Sequence, residues 1–206
     1  MLKIWGRNNG LNVQKVMWCV GELDLSHERI DHGGPFGGND AGWYRRMNPN
    51  GVIPTIDDDG FILWESNTII RYLAATYGGN DIWPADAQAR ARADQWMDWQ
   101  QTTLREPVMT LFYGLIRTPE AARDASALDR AVVHAGELFQ RLDRQLSATP
   151  FVAGDRFSIG DIPVGVLTYR WCHLDVARPD LPHLRAWYER LESRPAFRAH
   201  VMLPLT

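Results

Sequence analysis

Cysteine is scarce in this chain. Two occur in 206 residues, Cys19 and Cys172, far apart in sequence. No CxxC is present, and no Cys/His set has metal-ligand spacing, so neither a protein dithiol centre nor a bound metal is expected. Cys19 sits inside the apolar run Val16-Met17-Trp18-Cys19-Val20, where a thiol is buried and inert. Basic charge is not in excess either. Lys and Arg number 22 against 25 Asp and Glu, with a net charge of −3 and no run of one sign. Phosphate binding needs a concentrated basic face, so nucleic acid is not an expected partner. No apolar run approaches the ~18–20 residues that span a bilayer. The N-terminus enters Leu2-Lys3-Ile4-Trp5 without a leader-like segment, so a cytoplasmic chain with no membrane partner is expected. Internal repeats and low-complexity tracts are also missing. Tryptophan is the abundant residue, with nine copies. Most read as core or interface anchors, with one or two left to line an apolar pocket.

The length allows one large domain or two small ones. The first third alternates strand and helix. Strands are expected at 2–5 and 27–31 and a helix at 12–23, with Val13, Val16, Met17, Val20 and Leu23 on one face. A glycine-rich loop at 33–40, a short helix at 41–47 and a hairpin of 55–57 with 61–64, turning at Asp58-Asp59-Gly60, follow. A helix over 65–77 ends at Gly78-Gly79. The order βαβ, helix, ββα is that of a thioredoxin-like domain. Thioredoxins carry CxxC where this chain has Asn9-Gly10-Leu11-Asn12, which removes dithiol chemistry by the protein itself. Residues 78–81 read as a boundary, and from Pro84 onward no strand is expected. Helices are expected over 85–116, bent at Pro107, over 119–147, from Ser158 onward, over 181–192, and after Pro195. In Ser158-Ile159-Gly160-Asp161 the serine caps a helix and Asp161 reaches back to its N–H, with Phe157 and Ile162 as a staple. The fold class is thus α/β plus all-α: a thioredoxin-like domain at 1–78 and a helical-bundle domain at 85–206.

The most informative stretch is Asn48-Pro49-Asn50-Gly51-Val52-Ile53-Pro54, followed by Trp64-Glu65-Ser66. Pro54 cannot donate to a sheet ladder and leaves the backbone of Ile53 free for another partner. Glu65 and Ser66 lie where a helix begins, and free N–H groups with the positive end of the helix dipole favour an anion there. One element can hold a peptide backbone while the other holds a carboxylate.

This combination resembles the glutathione-binding half of the cytosolic glutathione transferases, of the bacterial, theta, nu and yeast-prion-like type. The likeness covers nearly the whole chain, since Ser158-Ile159-Gly160-Asp161 resembles the N-capping box of the family's C-terminal domain. The resemblance implies that Val52, Ile53, Pro54, Glu65 and Ser66 bind glutathione, which would be the co-substrate. Ile53 would pair with the cysteinyl backbone and Glu65-Ser66 would hold the γ-glutamyl end. It also implies a homodimer joined through the 65–77 helix and the long helices.

Glutathione transfer needs a thiolate, and a free thiol with a pKa near about 8.5 is mostly protonated at neutral pH. Lowering that value by about two units takes roughly 2.7 kcal/mol of preferential stabilisation. Donors at the start of the first helix can supply it. Two departures from the family pattern stand out. Gly10 occupies the position where many relatives carry serine, and it has no hydroxyl. Asn12 falls where nu-class and yeast-prion-like relatives have an asparagine near the sulfur. Asn12, helped by the backbone N–H groups of Gly10 and Leu11, is the candidate donor, the other reading being a plain helix cap. Arg7 and Asn9 are further candidates. Val52 replaces a frequent Lys or Arg that contacts the glycyl carboxylate, so Arg45, Arg46 or the 33–40 loop would have to substitute. Tyr44 and Tyr72 read as structural.

An electrophile pocket would lie between the domains, with Phe112 and Tyr113 ahead of Trp5, Trp99, Met109, Ile116 and Trp171. The expected activity is conjugation of glutathione to a small apolar electrophile. Reduction of a glutathione disulfide, and binding without turnover because of Gly10, stay open as alternatives.

Overall fold

Four short strands place the site. In the computed structural model, which describes residues 1–206 apart from the side chains of Asn80 and Asp81, they are β1 (Leu2–Trp5), β2 (His27–Ile30), β3 (Thr55–Asp58) and β4 (Phe61–Trp64). The expected boundary at 78–81 includes those two side chains, which lie outside the described residues. The sheet order is β2-β1-β3-β4. β1 runs parallel to β2, with Leu2 opposite His27, and antiparallel to β3, with Trp5 opposite Thr55. The parallel step requires a crossover, which is helix α1 (Leu11–Glu22). The hairpin β3–β4 turns at Asp59 and Gly60, both with positive φ, as a tight two-residue turn of this hand demands. Asp57 accepts from the Gly60 N–H at 2.6 Å and fixes the turn.

Helix α2 (Gly42–Met47) packs through Tyr44, whose ring lies 4.0 Å from that of His32. Helix α3 (Ser66–Tyr77) lies beside α1, and the two bury Val13, Val16, Met17, Val20, Ile69, Ile70 and Leu73. The 33–40 loop carries one short 3₁₀ turn over Gly34–Phe36. Helix α4 (Gly79–Ile82) occupies the stretch expected to be a bare link.

The rest is helical: α5 (Ala87–Trp99), α6 (Arg105–Phe112), α7 (Ala125–Leu146), α8 (Asp161–Cys172), α9 (Pro182–Glu192) and α10 (Pro195–His200). Asp86 caps α5 by accepting from the Ala89 N–H at 2.8 Å. Two corrections concern helix ends. The helix expected from 119 starts at Ala125, because Arg123 is extended and Asp124 takes the cap, accepting from the Ala127 N–H at 2.9 Å. The helix expected to bend at Pro107 widens instead into π turns at Gln100–Leu104 and Tyr113–Arg117 on either side of it. An isolated bridge between Phe151 and Gly154 is the one extended pairing in this half among the described residues.

Helix α8 is buried along almost its whole length and forms the axis of the bundle. Its Asp161 is fully buried and accepts from the N–H groups of Val152 (3.0 Å) and Ser158 (2.9 Å), the Ser158 hydroxyl (3.3 Å) and Trp187 Nε1 (2.9 Å). Burial pushes its carboxyl up to about 6 while these donors pull it down. The expected box therefore forms, but the Ser158 hydroxyl accepts from Gly160 at 3.3 Å and the regular helix begins at Asp161.

Candidate active site

The segment 48–54 is pinned from beneath. Asn48 Nδ2 donates to the Val52 carbonyl at 2.8 Å and to Thr55 Oγ1 at 3.1 Å. The Tyr44 hydroxyl donates to the same carbonyl at 2.8 Å. Gly51 adopts φ +60, where any side chain would be strained, and the Arg45 guanidine group fills the space a Cβ would need. Arg45 itself donates to Asp40 at 2.5 Å and to the Pro49 carbonyl at 2.8 Å. It braces the turn that precedes Val52. The Val52 side chain is exposed.

Ile53–Pro54 is a cis peptide. Neither the N–H nor the C=O of Ile53 bonds to protein among the described residues. A backbone donor and acceptor just before the start of β3 are thus available to an extended peptide.

Glu65 is exposed and holds φ +71, one residue before α3, so the helix starts at Ser66 and not at Glu65 as expected. A non-glycine residue in that region is over-determined by its surroundings and clusters at ligand sites. Ser66 is buried, yet its hydroxyl has no protein partner among the described residues. No side chain caps the helix, which leaves the first N–H groups of α3 as an anion site.

The start of α1 closes this arrangement. Gly10 is the N-cap in an extended conformation, so Asn12 is inside the first turn and does not cap. A Cβ on Gly10 would lie 3.5 Å from Ile53 Cδ1 and 3.3 Å from the Arg7 carbonyl, which shows how close the helix start and the Ile53 segment are. Asn12 Oδ1 is buried without a partner. Below lies a set the sequence reading missed. Lys15 is fully buried, and its amine donates to Asn67 Oδ1 at 3.3 Å while Asn67 Nδ2 donates to the Met97 carbonyl at 3.0 Å. Burial, reinforced by Arg105 and opposed by Glu65, lowers Lys15 to about 7. Both amide atoms of the buried Gln100 lack partners. Spacing could have revealed Lys15, because Leu11, Lys15 and Cys19 follow each other at i+4 on the buried face.

The helical half adds an aromatic and cationic wall. Phe112 is buried, with the Arg170 guanidinium 4.4 Å and the Arg117 guanidinium 5.3 Å from its ring centre, so it is covered rather than open. Tyr113 is 48% exposed, with Arg117 at 5.9 Å. Arg170 Nη2 donates to the Asn9 carbonyl and to Gln14 Oε1, each at 3.1 Å, tying α8 to the start of α1. Burial lowers the pKa of Arg7, and Arg117 lowers it further. Three further aromatic candidates have partners elsewhere. Trp171 stacks on Phe139 at 4.0 Å inside the bundle, Trp99 packs on Trp96, and Trp5 packs on Trp43. Met109 is buried and Ile116 exposed. Cys19 is fully buried, and burial raises its thiol. Among the described residues no group of three or more His, Cys, Asp or Glu is arranged to hold a metal ion. Among the described residues no helix is long and apolar enough to cross a membrane.

Fold and site together define a glutathione transferase. Family models describe residues 8–81 as a glutathione S-transferase N-terminal domain and 102–195 as its C-terminal domain. The chain belongs to the glutathione S-transferase family. It is 40% identical to glutathione S-transferase GstB of Escherichia coli strain K12 over the full length of both chains. It is 31% identical to glutathione S-transferase theta-1 of Rattus norvegicus over 73% of this chain and 65% of that one. A theta-class glutathione S-transferase of Xanthomonas axonopodis pv. citri, solved with glutathione bound, superposes with a TM-score of 0.96. It is 47% identical over 100% of this chain and 99% of that one.

Proposed function

We propose that this transferase conjugates glutathione to a small electrophile with an apolar body. The Ile53 backbone pairs with the cysteinyl unit, Ser66 and the α3 N-terminus take the γ-glutamyl carboxylate, and Asn12 donates to the sulfur. Val52, Pro54 and Glu65 complete the glutathione contacts, with Gly10 giving the sulfur close access to the Leu11 N–H, since its own N–H donates to the Arg7 carbonyl at 3.1 Å. The electrophile enters beside Tyr113, with Phe112 buried behind the wall of its pocket. No metal is invoked. The division at 1–78 and 85–206, the homodimer and a cytoplasmic setting belong to the same proposal.

The observation that supports it is the unused backbone of Ile53, whose side chain would lie 3.5 Å from a Cβ on Gly10 at the start of α1, together with the unused hydroxyl of Ser66. Such pairs fit a γ-linked peptide better than a generic apolar ligand. The test is ultraviolet difference absorption of the protein with glutathione, titrated with pH. A thiolate band well below pH 8 is expected. Binding without that band would turn the reading toward a carrier of the thiol form. Reduction of glutathione disulfides uses the same thiolate and is separated by assaying both reactions.

A further inference from the structure

We propose that the second substrate carries an anionic group, an aryl carboxylate or sulfonate being the fitting class, bound by Arg7, Arg117 and Arg170. The inference deepens the glutathione reading and rests on it. Among the described residues none of the three guanidinium groups forms an ion pair with an Asp or Glu. Yet Arg117 and Arg170 share one place, while the Arg7 guanidinium lies against Gly34. Arg170 and Arg117 flank the Phe112 ring, Arg117 also approaches the Tyr113 ring, and Arg170 bonds the Asn9 carbonyl one residue before Gly10.

Arg170 is 3% exposed, and its Nε, like that of Arg7, is buried without a partner. Burial comes first in holding Arg170 down to about 10, and Arg117 and Arg7 add to it. Like charges gathered in a partly dry cleft are costly unless an anion joins them. Arg117 donates at 2.6 Å to a main-chain oxygen of Thr206, which an incoming anion would have to displace. The exposed Tyr113 side chain supplies a face for a ring, and the arginines fix its charged end. In the reaction, the thiol first loses its proton to solvent. For an aryl chloride that bears the anionic group, the thiolate sulfur then bonds to the chlorine-bearing aryl carbon, and the carbon–chlorine bond breaks with chloride leaving on the electron pair.

The test uses two conjugates, S-(4-carboxy-2-nitrophenyl)glutathione and its 4-carbamoyl counterpart, which differ in charge and hardly in shape. Calorimetry with the intact protein should give the carboxylate about tenfold tighter binding at low salt, the excess shrinking in concentrated salt. Arg117→Gln, at an exposed position, should reduce that preference about threefold or more. Equal affinities for the two conjugates overturn this inference and leave the glutathione reading intact. Failure of both to bind overturns both. An equal loss for the two conjugates in Arg117→Gln and in Arg7→Gln assigns the cluster to the glutathione moiety and likewise overturns the inference.

Discussion

Ser66 and Asn12 are polar groups that the protein itself leaves unsatisfied, and each therefore has a measurable consequence. A hydroxyl released from solvent only when ligand arrives adds about 0.5–1.5 kcal/mol. Ser66→Ala should weaken glutathione binding severalfold in calorimetry, and unchanged affinity would remove it from the site. As the proposed donor to a sulfur whose charge develops before attack, Asn12 carries the prediction that Asn12→Ala lowers kcat about tenfold or more with a smaller change in KM. Equal turnover in mutant and parent would end that assignment. Lys15 behaves differently. Its folded value of about 7 lies below the ordinary 10.5, so between those pH values the unfolded chain holds a proton that the folded chain has shed. Stability from this residue therefore rises with pH across that window and is lowest below it. Lys15→Met should abolish that slope and add about 1–4 kcal/mol at neutral pH, read from denaturant midpoints at pH 7 and pH 10.

At the scale of elements, most of the fold was legible because its signals are local. Asp59-Gly60 sets a hairpin, Ser158 and Asp161 set a helix start, and the i+4 stripe of Leu138, Leu142 and Leu146 marks α7. The errors fell where several local rules compete. Pro119 is a good first helical residue, but Asp124 is a better cap, and the helix waits for it. The proposed glutathione half of the site could be read as a candidate for the same reason, being one continuous stretch from Asn48 to Ser66. The arginine wall was not, because Arg7, Arg117 and Arg170 come from three distant segments joined only by packing. Asp161 shows what such packing is worth to an element. Removing its carboxylate strands Val152, Ser158 and Trp187 without acceptors, so Asp161→Ala should cost about 2–5 kcal/mol, measured by urea unfolding. A loss under 1 kcal/mol would contradict that account.

At the scale of the molecule, the chain leaves Phe61 and Tyr77 half exposed at the hairpin and the end of α3. That surface adjoins the helix through which the expected homodimer would form. Sedimentation should give twice the 23.5 kDa chain mass, and a monomer across micromolar concentrations would refute the dimer.

Helix α1 belongs to both halves at once. Its inner face covers the sheet, while on its outer face Trp18 packs on Phe197 at 4.7 Å, Glu22 takes both ends of the Arg194 guanidinium, Gln14 donates to the Val201 carbonyl, and a Cβ on Gly21 would meet Ala196 at 2.9 Å. The residues that begin α1 are thus held in register by the far end of the chain. Chimeras inherit a constraint from this. A hybrid that joins the first half of one relative to the second half of another will keep its activity only if the outer face of α1 and the α10 segment come from the same parent.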